Sequence, residues 1–269
     1  MSGELPEYKI FAIRYATRDA RRAEHFVGGD SHDGPMPIDY FTWVIAGPVR
    51  SFLVDTCFTA ESAARRRRQF LRCPIESLKH LGIDADSVTD VILTHLHYDH
   101  VGNFHRLPNA RFHLQERELA FATGRFMRYP YFRHGMEIED VVGIVRLNYK
   151  GRVELYEGDV ELAPGLTLHA APGHTAGLQV VRVHTQRGNV VLASDSSHFY
   201  ENLHSRRPFA AVLDVGGAID SFRRIEQLAD SPHHIIPGHD PLVMTRYPPA
   251  SPSLHNVVAR LDVDPDEGS

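Results

Sequence analysis

The segment Thr94-His95-Leu96-His97-Tyr98-Asp99-His100 sets three imidazoles and a carboxylate within six consecutive positions, at the end of an apolar run. Imidazole nitrogens and carboxylate oxygens are ligands of divalent ions. In extended backbone, side chains two positions apart point the same way, so His95 and His97 can share one ion. A turn after them would redirect Asp99 and His100 toward a second ion, with Gly102 supplying the flexibility for that turn. Burying these groups beside an apolar strand without partners would cost about 1–3 kcal/mol each, so a purely structural role accounts poorly for the cluster.

Three later positions repeat this placement. His174 lies in PGHTAG after the strand-like GLTLHAA, Asp195 ends NVVLASD, and His239 lies in PGHD after HHIIP. Each alone reads as a cap or hydrogen-bonding residue at a strand end. Taken with the first cluster, they gather functional groups at one edge of a sheet, which is how sites are built on folds of this kind.

The elements that must hold these groups follow from the hydrophobic pattern. YKIFAIRY, YFTWVIA and SFLVD predict early strands, and a helical stretch is expected over residues 60–81. Further strands are expected at ARFHLQ, GLTLHAA, LQVVRVHT and NVVLASD, with helices over 116–123 and 218–229. The mixture predicts an α/β fold with packed sheets. With no internal repeat and no low-complexity linker, one domain over 1–269 is expected. Residues 17–37 are polar and glycine-rich, which predicts a long lid loop able to cover a site. A helical, aromatic insertion is expected over about 115–150; its 121–136 part is read first as packing and second as a substrate-facing wall.

Composition excludes several classes. No apolar stretch approaches the roughly 20 residues that span a bilayer, and the N-terminal residues do not resemble a secretory signal, so a soluble, cytoplasmic protein is expected. Cys57 and Cys73 are the only two cysteines, too few for a disulfide framework or a cysteine zinc site. A net charge of −5 with both signs dispersed gives no reason to expect nucleic acid or an anionic membrane as partner. The basic run Arg65 to Arg68 reads as a solvated helix face. Of the eighteen histidines, those outside the series above are expected on sheet faces or loops.

The ordered series HLHYDH, PGHTAG, SD and PGHD resembles the metallo-β-lactamase superfamily, and SFLVDTC resembles its early strand motif, so the likeness spans nearly the whole chain. The resemblance implies a four-layered αββα sandwich with two metal ions between the sheet edges. Carried over, His95, His97 and His174 would bind the first ion, Asp99, His100 and His239 the second, and Asp195 would bridge them. Asp55 would support a ligating histidine. The branch most resembled is the N-acyl homoserine lactonases, through THLHYDHVGN, LNYK, YEGDVELAPGLTLHAAPGHTAG and GHDP. Two positions depart from that branch: His198 stands where a tyrosine is usual three residues after the bridging aspartate, and Cys57 stands where glycine is usual.

The implied reaction is opening of a lactone ring, foremost an N-acyl homoserine lactone, by a metal-bridging hydroxide. Asp99 would shuttle a proton to the leaving alkoxide. His198 and Tyr200 are the candidate donors to substrate, with simple packing the first expectation for Tyr200. Zinc is the first choice of ion, and iron, manganese and cobalt accept the same donors. The alternatives are another hydrolase of the superfamily (acting on a different small lactone, a glyoxalase II-like thioester or a phosphodiester), an iron redox protein of the same fold, and a non-catalytic metal-binding module. The substrate is a small molecule in the first reading, and a homodimer is left open.

Overall fold

The structure, a computed structural model, describes residues 5–266. The first four residues of the N-terminal stretch considered for a signal, and the last three of the 1–269 domain, lie outside it. Among the described residues thirteen strands run in chain order: β1 (Lys9–Arg18), β2 (Ile38–Ala46), β3 (Ser51–Val54), β4 (Gln69–Phe70), β5 (Asp90–Ile92), β6 (Arg111–Gln115), β7 (Val153–Tyr156), β8 (Val160–Ala163), β9 (Leu166–Ala170), β10 (Gln179–Thr185), β11 (Gly188–Ser194), β12 (Ile235–Pro237) and β13 (Val258–Arg260). The first sheet has the order β13-β1-β2-β3-β5-β6-β7 with β4 beside β1, and the second has the order β12-β11-β10-β9-β8. Strands β3, β5, β6 and β7 are parallel, as are β11 and β12.

Strand side chains alternate between faces, so the apolar alternation decides which layers meet. Ile10, Ala12, Phe41, Trp43 and Ile45 of the first sheet pack on Leu166, Leu168, Val181, Val183, Val190 and Leu192 of the second. The intervening Ile13, Val44, Leu53 and Val91 face the other way, onto Phe121, Ile144 and Leu147 of the helices Glu116–Ala122 and Ile138–Tyr149. On the second sheet, Val180, Val191 and Ala193 meet Phe222 and Ile225 of the helix Val215–Leu228. The result is the expected order of helices, sheet, sheet and helices. At about 1.5–3 kcal/mol per fully buried large apolar side chain, the inter-sheet layer and the layer between the first sheet and its helices are both large favourable contributions.

Three local expectations need correction. The helix predicted over 60–81 is broken: Ala60–Arg66 ends at Arg67, which is left-handed (φ 55°), and β4 follows before Pro74 opens the short helix Pro74–Ser77. Proline suits a first helical position but cannot continue a helix through it. Only half of the basic run is a solvated face: Arg65 and Arg67 are exposed, but Arg66 and Arg68 turn inward. Arg66 pairs with Glu137 and lies 3.9 Å from the Tyr98 ring centre, while Arg68 Nε donates to the Tyr98 hydroxyl at 3.0 Å. Finally, Gly102 has ordinary helical dihedrals (φ −71°), so it supplies no unusual freedom; a Cβ there would lie 2.7 Å from the Cys57 carbonyl oxygen. It is needed for close backbone approach.

Of the 17–37 stretch, residues 17 and 18 belong to β1, and the rest is loop around one 3₁₀ turn at Arg22–Glu24. Arg22 pairs with Glu201 and Asp30, and Arg207 also pairs with Asp30, which ties this loop to the helix Tyr200–Ser205 and the chain beyond it. The 115–150 stretch carries the helices Glu116–Ala122, Pro130–Arg133 and Ile138–Tyr149 and a 3₁₀ turn at Arg125–Arg128.

Candidate metal centre

The chemistry-bearing residues leave the strands at the facing edges of both sheets. The first sheet supplies residues 95–100 just after β5; the second supplies His174 after β9, Asp195 after β11 and His239 after β12. The edges are stitched beside the site: Thr94 Oγ1 lies 2.9 Å from Ser194 Oγ, and the Gln179 amide donates to the Thr94 carbonyl at 3.0 Å. His95 precedes a one-turn helix, Tyr98–Val101, with His97 as its N-cap; that turn swings Asp99 and His100 away from the line of His95.

Seven side chains converge. His95, His97, His174 and Asp195 can each present a donor atom within 4.8 Å of the others, and so can Asp99, His100 and His239. Asp195 faces both groups. Its Oδ2 is 3.2 Å from His174 Nε2 and 3.7 Å from His95 Nε2, while its Oδ1 is 3.3 Å from His100 Nε2 and 3.0 Å from His239 Nε2. His97 Nδ1 stands 2.9 Å from His174 Nε2.

The opposite ring nitrogens are already engaged. His100 Nδ1 meets Asp55 Oδ2 at 2.7 Å, His174 Nδ1 the Ala211 carbonyl at 2.7 Å, His239 Nδ1 the Asp39 carbonyl at 2.9 Å and His95 Nδ1 the Thr94 hydroxyl at 3.1 Å. Each of these rings therefore turns Nε2 inward, the arrangement that orients histidines toward an ion. His97 is turned the other way because its Cδ2–Nε2 edge packs on Gly135, where a Cβ would lie 2.6 Å from it. His95 Nε2 and His100 Nε2 are buried and lack any hydrogen-bond partner. Buried polar atoms without partners are costly, and divalent ions would satisfy both of these, so the donor set fits two such ions.

Electrostatics agree. Burial opposes ionisation of Asp195, yet His198, His239 and His100 hold it well below the usual carboxylate range. Burial also opposes charge on His100 and His239, but Asp195 and its neighbouring carboxylates outweigh it and raise both rings. Burial keeps His95 and His97 well below the ordinary histidine value, hence neutral and ready to ligate. An ion at His100 and His239 would displace protons, as ligand chemistry requires.

The cluster floors a cavity of about 610 Å³. Phe121, Pro130, Phe132, Phe209, Val212 and Leu213 line it, so the 121–136 stretch serves both as packing and as cavity wall. Arg18, Glu24, Tyr40 and Arg68 also line it. His198 is at the cavity: its Nε2 lies 3.0 Å from Asp195 Oδ2, and its ring stacks on Phe209 with centroids 3.7 Å apart. Burial lowers its pKa to about 3 against the pull of Asp195, so the ring is neutral. Tyr200 does not line the cavity. It is buried in the inter-sheet core under the Arg246 guanidinium, 4.3 Å from its ring centre.

Sequence reading passed over Glu118. Its buried carboxylate accepts from Leu96 N–H and Gly177 N–H, each at 3.0 Å, joining the loop of His95 and His97 to the loop of His174. Gly177 leaves no alternative, since a Cβ there would collide with the Glu118 backbone.

The sequence profile of the metallo-β-lactamase superfamily matches residues 37–239, a span that contains all seven converging side chains. The chain belongs to this superfamily. Among metallo-β-lactamase-fold relatives, the N-acyl homoserine lactonase AiiA of Bacillus thuringiensis subsp. kurstaki is 32% identical over 170 residues, covering 62% of this chain and 61% of the relative. The match therefore spans about three fifths of that relative's length. An N-acyl homoserine lactone hydrolase, solved with the product N-hexanoyl-L-homoserine at its catalytic metal centre, superposes with a TM-score of 0.73 at 22% identity, over 87% of this chain and 94% of that one. AidC, a dizinc quorum-quenching lactonase, gives a TM-score of 0.69 at 19% identity over 89% and 90%. At these identities the structural likenesses establish the metallo-β-lactamase fold.

Proposed function

We propose that this chain is a dinuclear metallohydrolase that opens lactone rings, with N-acyl homoserine lactones as the substrate class. One juxtaposition carries the reading: two histidine groups sharing Asp195 open onto an apolar-walled cavity large enough for an acyl chain. The names of the relatives supply the substrate. In this proposal His95, His97 and His174 would hold one ion and Asp99, His100 and His239 the other, with Asp195 serving both groups. Zinc is the proposed ion, in keeping with the dizinc fold neighbour.

When bound, such a pair supplies Lewis acidity toward a carbonyl oxygen and a water-derived nucleophile near neutral pH, with no serine or cysteine needed. The chain's own residues do the rest. Asp99 takes the proton released on attack and returns it to the alkoxide that leaves when the ring opens. Neutral His198 has a single N–H, which would steady Asp195 in the free chain and turn to the substrate carbonyl when ions engage that carboxylate. The apolar wall holds the acyl chain, and the loop after β1, which brings Glu24 to the cavity, acts as a lid. One domain carries all of this. No helix among the described residues is long and apolar enough to cross a membrane, and both cysteines are free. Free thiols suit the cytoplasmic setting we propose.

The test is a pH-stat panel of aliphatic and acyl homoserine lactones, thioesters and phosphodiesters on protein of measured metal content. Acyl homoserine lactones are expected to turn over fastest, with activity lost on chelation and regained with zinc. Faster turnover of a thioester or phosphodiester would hand the site to another hydrolase of the superfamily. His198→Phe is expected to lower kcat about tenfold to a hundredfold with both ions retained, read from steady-state kinetics beside metal analysis. Unchanged kinetics would make His198 part of the scaffold only.

A further inference from the structure

Residues 209–213 form no helix or strand, yet they line the cavity and carry the carbonyl of Ala211 that holds His174 Nδ1 at 2.7 Å. Few bonds fix that carbonyl's aim. From the second sheet's side, Leu213 N–H is shared between the Gly173 carbonyl at 2.9 Å and the His174 carbonyl at 3.2 Å, and Asp214 N–H donates to the Gly173 carbonyl at 2.9 Å, all beyond Val212. From the opposite side comes Tyr131, on the short helix Pro130–Arg133. Its hydroxyl lies 3.0 Å from the Ala210 carbonyl and 3.1 Å from the Val212 carbonyl, and it accepts from Val212 N–H at 3.3 Å. A phenol has one proton, so it donates to one carbonyl at a time while it accepts from the amide. The tyrosine thus grips the backbone on both sides of Ala211. Its ring is braced edge-on by Phe132, with centroids 5.1 Å apart.

We infer that Tyr131 is a positioning residue for His174, acting through residues 210–212, and that the same bridge closes the cavity wall along the acyl chain. A carbonyl that accepts Nδ1–H fixes the ring's tautomer and rotation and makes the inward nitrogen a better ligand. With the hydroxyl gone, the irregular segment keeps the Leu213 and Asp214 bonds but loses its hold beside Ala211. His174 then samples orientations that point Nε2 off target. The acyl-chain half of this inference rests on the lactonase reading; the metal half does not.

The test compares zinc-loaded Tyr131→Phe, which keeps the ring, with wild type and with Tyr129→Phe, a second exposed tyrosine on the same insertion. Zinc affinity is measured by competition with a chromophoric chelator, and the cobalt-substituted protein gives a visible ligand-field spectrum. For Tyr131→Phe one ion is expected to bind about threefold to tenfold more weakly, less than the 10–100-fold typical of groups bonded directly to a ligand. The cobalt band should shift while Tm holds, and Tyr129→Phe should match wild type throughout. With decanoyl and butanoyl homoserine lactones as substrates, KM should rise for the long chain more than for the short one. Wild-type zinc affinity and an unaltered cobalt spectrum in Tyr131→Phe would overturn the positioning role, whatever the lactone kinetics. A wild-type protein inactive on both lactones would count against the proposed reaction, while the zinc and cobalt measurements would still decide the role of Tyr131.

Discussion

Replacing Asp195 with alanine is expected to reduce lactone hydrolysis by more than about 10³-fold and to release both ions together. The expectation follows from its position: Oδ2 faces the group of His95 and His174, and Oδ1 faces His100 and His239. Removing it takes a charged donor from each side at once. It also leaves His100 and His239 without the carboxylate that contributes most to raising them. His97→Ala removes one donor from one group, so loss of activity should accompany partial loss of metal. Metal analysis beside initial rates separates the cases. Hydrolysis persisting in metal-free Asp195→Ala would defeat the dinuclear mechanism.

The second large effect is expected at Glu118, which touches no reacting atom. Glu118→Ala leaves the Leu96 and Gly177 amides buried without an acceptor, and each such group costs about 1–3 kcal/mol. Part of this is offset, because burial already raises the Glu118 pKa and removing the carboxyl group removes its desolvation cost. A net loss of about 2–4 kcal/mol is expected against a total stability of about 5–15 kcal/mol, readable in urea unfolding. Zinc affinity should fall with it, since the loops of His95, His97 and His174 lose the group that joins them. Glu118→Gln should fall between, because an amide offers one acceptor where two donors wait. Wild-type stability and affinity in the alanine variant would show that the two loops hold themselves.

The converging cluster was legible in the sequence for a chemical reason. A lone imidazole or carboxylate at a strand end reads as a cap, but positions 95–100 concentrate four of them and three later strand ends repeat the placement. The sheet layers were legible through alternation, as in Ile10 and Ala12 against Phe11 and Ile13. What escaped depends on direction in space. Arg68 reaches the cavity only because Arg67 turns left-handed and ends the helix before it. Phe209 comes from a segment with no periodic signal at all. Glu118 did leave a trace: it shares the buried face of its helix with Phe121 and Ala122, and a carboxylate on an apolar stripe implies a buried partner.

The seven donors are divided between the two sheets, so ions held by them would act as rivets through the seam where the sheets meet. Resistance to unfolding then becomes a function of ion supply. An ion that binds only the folded chain, present at a hundred times its Kd, adds about 2.7 kcal/mol. Starvation for metal would unzip this edge first, leaving the apolar layer behind it to hold the halves together.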